Sequence, residues 1–151
     1  PISFHSADVI VELGAGNGVF TKEIIKRMKS SCKLFVFETN ELFFELLSKD
    51  IKDDRVVFFN ESAELINQKL SANGIQCADA IVSSLPYAVF PSEVKNNILD
   101  ACISILNKDG VYVQFQYSLN AHKLLKQKFS KVTLDFTPIN MPPAFIYRCK
   151  P

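Results

Sequence analysis

The stretch D-V-I-V-E-L-G-A-G-N-G, residues 8–18, decides the fold. Its first half, Asp8 to Leu13, is a short apolar run that ends at glycine, the signature of a buried strand. Gly14, Gly16 and Gly18 then make a tight turn, and Phe20, Ile24 and Met28 recur at helical spacing. The same order repeats outward. Residues 33–38 (K-L-F-V-F-E) read as a second strand, and Asn40 caps a helix with Phe43, Leu46 and Leu47 on one face. Residues 55–59 are a third strand, after which Ser62 opens a helix through Leu65, Ile66 and Leu70. Residues 78–83 (A-D-A-I-V-S) are a fourth. Pro91 and Ser92 start a longer helix that turns Val94, Ile98, Cys102 and Ile105 or Leu106 inward. Residues 107–110 (N-K-D-G) read as a turn before a strand over 111–117, and a basic amphipathic helix spans about 120–129. Two closing strands, about 131–136 and 144–149, can pair as a hairpin. Strands alternating with helices imply an α/β fold, a mainly parallel sheet with helices on both faces. No repeat or linker interrupts it, so residues 1–151 are read as one domain. The chain opens at Pro1 and almost at once enters a strand, so a native N-terminal segment is expected to precede it.

Composition narrows the function. A hydrophobic share of 48% with 22% charged residues describes a globular domain rather than a disordered one. The net charge of +1 gives no field to gather a nucleic-acid backbone. Cys32, Cys77, Cys102 and Cys149 form no C-x-x-C pair, and His5 and His122 add no ligand spacing. No metal site is expected, and the thiols read as reduced residues of a cytoplasmic protein. No apolar run approaches the ~18 residues that span a bilayer.

Ligands of such sheets bind outside the carboxyl ends of the strands. After the first strand, glycines let the backbone approach a ligand closely and a helix N-terminus follows; a plain strand-to-helix turn would look the same. The third glycine comes one residue too early for the dinucleotide pattern G-x-G-x-x-G, and Glu12 sits two residues before the first. Glu38, ending the second strand, can accept both hydroxyls of a ribose, or be a solvated acid. Asn60, Glu61 and Ser62 can meet an adenine amine, and Ser62 can equally cap a helix. Three strand ends with adenosine-compatible chemistry point to a nucleoside ligand.

E-L-G-A-G-N-G at 12–18, Glu38, S-S-L-P-Y at 83–87 and L-N-K-D-G at 106–110 together resemble the ordered motifs of class I methyltransferases. The resemblance runs from about Asp8 to the C-terminus. It implies a Rossmann-like, seven-stranded sheet with a final antiparallel hairpin, and S-adenosylmethionine as cofactor. It further implies that Glu12, Gly14, Ala15, Gly16, Asn17 and Gly18 wrap the methionine portion. Glu38 with Thr39 would hold the ribose, Glu61 and Ser62 would flank the adenine, and Ser83 would complete the cofactor set.

Residues 83–87 also resemble the N-L-P-Y motif of ribosomal RNA adenine dimethyltransferases, with Ser84 at the Asn position. A hydroxyl lacks the reach of a carboxamide that donates and accepts together. Bacterial phospholipid N-methyltransferases resemble the chain more closely, through the S-x-L-P segment, V-Q-F-Q-Y at 113–117 and N-M-P-P-A-F-I-Y at 140–147. That resemblance implies transfer to the amine of phosphatidylethanolamine, with RNA or a small molecule as other acceptors on this fold and a binding module without turnover as a non-enzyme reading. Ser84, Tyr87 and Tyr117 are the expected catalytic residues: Ser84 or Tyr87 orients the amine, and the two rings stabilise the methylated cation, unless both tyrosines are core aromatics. An apolar rim of Tyr87, Val89, Phe90, Met141, Phe145 and Ile146 could meet a membrane surface. Lys123, Lys126, Lys128 and Lys131 could face anionic lipid, or simply be a solvated helix face. A monomer at the inner face of the cytoplasmic membrane is the expected setting.

Overall fold

The computed structural model describes residues 2–137 and 144–151. Four apolar runs form the centre of the sheet: β1 (Val9–Leu13), β2 (Lys33–Phe37), β3 (Val56–Phe59) and β4 (Ala78–Ser83). All run parallel, in registers such as Ile10↔Leu34, Val36↔Phe58 and Glu12↔Val82. Parallel neighbours need crossovers, which helices supply: α1 (Val19–Arg27), α2 (Glu41–Asp50), a 3-10 turn at Ala63–Leu65 leading into α3 (Ile66–Ala72), and α4 (Ser92–Ile105). β5 (Leu106–Gln116) joins β4 in parallel. After α5 (His122–Lys128) come β6 (Lys131–Thr137) and β7 (Ala144–Lys150), and β7 inserts antiparallel between β5 and β6. The resulting order is β3-β2-β1-β4-β5-β7-β6. This is the seven-stranded, mostly parallel α/β sheet with antiparallel C-terminal strands that the sequence led us to expect.

The central strands read as unbroken apolar runs because both of their faces are buried. One face sets Val11, Leu13, Phe35, Phe37 and Ile81 against α3, α4 and α5 through Leu70, Leu99, Cys102 and Leu125. The other sets Ile10, Leu34, Val36 and Val82 against Ile24 and Met28 of the first crossover and Leu47 of α2. Each such side chain contributes roughly 1.5–3 kcal/mol. Helix boundaries follow local chemistry: the Asn40 side chain accepts from the Phe43 N–H at 3.1 Å, and Gly18 caps α1 with φ 79°. A Cβ on Gly18 would lie 2.3 Å from Leu47 Cδ2, so this glycine also sets how closely α2 packs. Three of the four thiols are buried. Burial pushes Cys32 up to about 11 and Cys149 to about 12, and Cys102 higher still. Cys77, just before β4, is exposed.

Two expectations about the elements are corrected. Residues 107–110 are not a turn preceding a strand but an irregular stretch within β5. The register jumps from Ala78↔Leu106 to Ala80↔Val111, and Asn107 keeps its turn-like bonds there, donating to Asp79 and accepting from the Asp109 N–H. In α2 only Leu47 is buried; Phe43 and Leu46 are 39% and 56% exposed, so the apolar face read from the sequence is mostly open to solvent.

Candidate functional site

Strand order reverses between β1 and β4: the chain builds β2 and β3 on one side of β1, then returns to the other. A crevice opens outside the carboxyl ends at this switch point, as the fold dictates. It has two parts that meet at Gly14, Gly16, Ser84 and Pro86.

The smaller part, about 260 Å³, is lined by Glu38, Thr39, Asn40 and Glu61 among apolar walls that include Phe43, Leu85 and Phe90. Glu38 is nearly buried. Its Oε2 accepts from the Gly16 N–H and its Oε1 from the Asn40 N–H, each at 2.8 Å. Each oxygen keeps a further lone pair, so a carboxylate clamped in this way can accept a pair of vicinal hydroxyls. Asn60, by contrast, spends its side-chain amide on the carbonyls of Glu38 and Thr39. Glu61 lines this part while pairing with Lys69 at 2.7 Å. Ser62 does not line it and caps the following 3-10 turn, accepting from the Glu64 N–H at 3.2 Å. The capping reading of Ser62 is the one the geometry supports.

The larger part, about 700 Å³, is lined by Ala15, Asn17, Val19, Phe20, Phe115, Gln116 and Tyr117, besides the shared residues. The rings of Phe20, Phe115 and Tyr117 form one wall, packed edge-on at 5.4 and 5.3 Å. Among the described residues, none lining this chamber is acidic, basic or histidine. The Ser84 hydroxyl meets no protein partner among the described residues, and its backbone N–H is tied to Leu13 O at 2.9 Å.

Several expected residues lie elsewhere. Tyr87 is 2% exposed and its hydroxyl is 2.8 Å from that of Tyr112. Its ring belongs to the core, not to an acceptor face or an apolar rim, because the loop after β4 turns it toward Tyr112 of β5. Ser83 is likewise fully buried and lines neither part. Gly18 serves the helix start. Val89 is exposed, Phe90, Phe145 and Ile146 are half-buried, and Met141 lies outside the described residues, as do residues 140–143 of the N-x-P-P-A segment. Of the four lysines, Lys123, Lys126 and Lys128 lie on α5 and Lys131 lies on β6. Lys128 pairs with Asp100 at 2.6 Å, and Lys131 begins β6 at the sheet edge opposite the crevice, because β6 runs parallel to β5. Among the described residues no helix is long and apolar enough to cross a membrane. Residues that sequence reasoning missed include Asn40, Phe43, Phe20, Phe115 and Gln116. Phe115 and Gln116 lay within the quoted V-Q-F-Q-Y stretch without being given a role, and for Asn40, Phe43 and Phe20 the available signal was their place after a strand at the crevice edge.

Glu12 sits beneath the glycine turn, 1% exposed, with neither carboxylate oxygen hydrogen-bonded among the described residues. Burial, with the Glu38 charge adding to it and Thr21 partly offsetting it, pushes its carboxyl up to about 7. The folded state thus holds this proton where an unfolded chain, near 4.5, has lost it. The stability it confers is fully present below pH 4.5 and is lost as pH rises through 7, by about 3 kcal/mol at most. Glu12→Gln is expected to melt higher than wild type above pH 7, with the gap closing towards pH 4.5; melts that shift in parallel at every pH would contradict it.

Glu38→Ala removes the acceptor and frees the Gly16 N–H. It is expected to weaken S-adenosylhomocysteine binding by about 1–3 kcal/mol, roughly 5- to 150-fold. Calorimetry showing equal affinity would take Glu38 out of the site.

No family model matches the chain. Over 152 aligned residues it is 32% identical to an ornithine lipid N-methyltransferase of Singulisphaera acidiphila, covering 99% of this chain and 79% of that protein. Among solved structures, the N-methyltransferase NodS from Bradyrhizobium japonicum WM9 superposes with a TM-score of 0.77 at 12% identity, covering 95% of this chain and 85% of that one. Human methyltransferase-like protein 13 in complex with SAH gives 0.72 at 15% identity, covering 94% and 71%. The two structural likenesses speak to the fold.

Proposed function

Since the chain belongs to the class I S-adenosylmethionine-dependent methyltransferases, in the family of the ornithine lipid N-methyltransferase, we propose that its acceptor is the primary amine of a membrane-lipid headgroup, phosphatidylethanolamine foremost. The observation that carries this reading is the larger chamber, walled by Phe20, Phe115 and Tyr117 and free of charged side chains among the described residues. Such a space suits the desolvation of an amine carried on a short alkyl stem. The buried Tyr87 ring also leaves nothing at that position to stack on a nucleobase.

S-adenosylmethionine is the methyl donor, and when bound it supplies an electrophilic methyl on a sulfonium. The protein's task is then alignment. Glu38 would hold the ribose hydroxyls, Phe43 and Phe90 would border the base, and the open face of Gly16 would leave room for the rest of the donor. An amine must be neutral to attack. Moving the ammonium from water into an apolar chamber favours loss of its proton to the solvent at the chamber mouth, and the Ser84 hydroxyl, at the junction of the two parts, would accept an N–H and turn the lone pair toward the methyl. The exposed Tyr117 ring stabilises the methylated cation through its π face.

The test is transfer from labelled S-adenosylmethionine to vesicles and detergent-dispersed lipid containing phosphatidylethanolamine or ornithine lipid, with ribosomal RNA in parallel. Label in lipid and background in RNA is the expected result. Label in ribosomal adenines with lipid amines untouched would overturn it.

A further inference from the structure

Tyr112, Gln114 and Gln116 stand at every second position of β5 and so project from one face, all buried. Carboxamides in an apolar core are costly unless bonded, and here the bonds converge on one loop. The Tyr112 hydroxyl donates to Gln114 Oε1 at 2.5 Å, so at the 2.8 Å contact it accepts from Tyr87. Gln114 Nε2 donates to the carbonyls of Leu85, at 3.1 Å, and Phe115, at 3.0 Å. Gln116 Nε2 donates to the same Leu85 carbonyl at 2.7 Å. Both lone pairs of that carbonyl are therefore filled, and the loop beside the crevice is held at Leu85 and at Tyr87.

The consequence for Gln116 is directional. A carbonyl only accepts, so the amide nitrogen of Gln116 must face Leu85 and its oxygen must point the other way. Gln116 lines the larger chamber together with Ser84, and no donor among the described residues reaches its Oε1, which is not sealed from the crevice. We propose that Gln116 Oε1 is the second hydrogen-bond acceptor for the incoming amine, acting beside Ser84, and that Leu85 fixes its orientation. With two acceptors lining one chamber, a neutral primary amine uses its two N–H groups on the protein and its lone pair is left for the methyl. Gln114 and Tyr112 are positioning residues in this arrangement. The inference rests on the placement of the acceptor amine in this chamber.

Two variants test it. Gln116→Met keeps the volume and removes the oxygen; Gln114 still holds Leu85. It is expected to lower kcat/KM for the amine acceptor at least 30-fold while S-adenosylhomocysteine affinity, by calorimetry, stays within twofold. Gln116→Glu keeps an oxygen that accepts, but only its protonated form can also donate to the Leu85 carbonyl and so hold the Gln116 orientation, because the ionised carboxylate has no donor for that carbonyl. Its activity relative to wild type is expected to rise as pH falls from 9 to 6, whereas the Gln116→Met ratio stays flat. Transfer by Gln116→Met within threefold of wild type, a parallel loss of cofactor affinity, or a flat ratio for Gln116→Glu would each overturn the proposal. The ratios are read on whichever amine acceptor the wild type methylates. A wild type active on another amine but not on lipid defeats the lipid reading, and the same ratios on that amine then decide this one.

Discussion

Gly16→Val is expected to abolish S-adenosylhomocysteine binding in a protein that still folds. Gly16 has φ +55°, and a Cβ built on it would meet nothing within 4 Å. That empty space is where the two parts of the crevice join, so a branched side chain would stand where the ligand must pass. The backbone strain of a left-handed valine, about 1–2 kcal/mol, lowers the melting temperature without unfolding the domain. The loss of affinity should be larger, about 3 kcal/mol or more, since ligand overlap adds to lost hydrogen bonds. Calorimetry paired with a thermal melt separates the two. Normal affinity in Gly16→Val would reduce the glycine stretch to a turn.

The second large effect concerns stability. Tyr87→Ala is expected to lower the unfolding free energy by about 3–5 kcal/mol, the range for truncating a fully packed aromatic. The ring packs edge-on against Phe90 at 6.2 Å, within the cluster that joins β4, β5 and α4. Tyr87→Phe, which keeps the ring and removes one donor to Tyr112, should cost about 1 kcal/mol. Urea denaturation measures both. A Tyr87→Ala protein as stable as wild type but unable to transfer methyl would return this ring to the acceptor face.

Those two residues mark how far the sequence could be read. The first four strands were legible because burial on both faces leaves a continuous apolar run, and their bounds in the structure differ from the reading by a residue or so. The glycine turn was legible because positive φ and close approach select one residue type, and Glu38 because it ends a strand. Residues 107–110 misled for the opposite reason: N-K-D-G has turn chemistry, and the structure keeps that chemistry inside an irregular strand. Phe43 and Leu46 misled because helical spacing shows which residues share a face but not whether anything packs against it. Tyr87 and Ser83 were placed by motif at the crevice, yet Ser83 ends β4 with its side chain buried and the loop after it turns Tyr87 into the core. Gln114 and Gln116 were visible in V-Q-F-Q-Y but given no role, because alternating polar residues in a strand ordinarily announce a solvent face. Here they face inward and are satisfied by a loop distant in sequence, which no local pattern reveals.

The distribution of thiols makes the protein singly addressable among its described residues. Cys32, Cys102 and Cys149 are buried and held protonated at neutral pH, whereas Cys77 is exposed at the start of β4. A maleimide dye should therefore attach once, with no engineered substitution. Because β4 begins at the edge of the sheet opposite the crevice, the label stands clear of both chambers. A fluorophore there can report tumbling on a vesicle, or immobilise the enzyme with its crevice facing outward, without touching the groups that hold donor or acceptor.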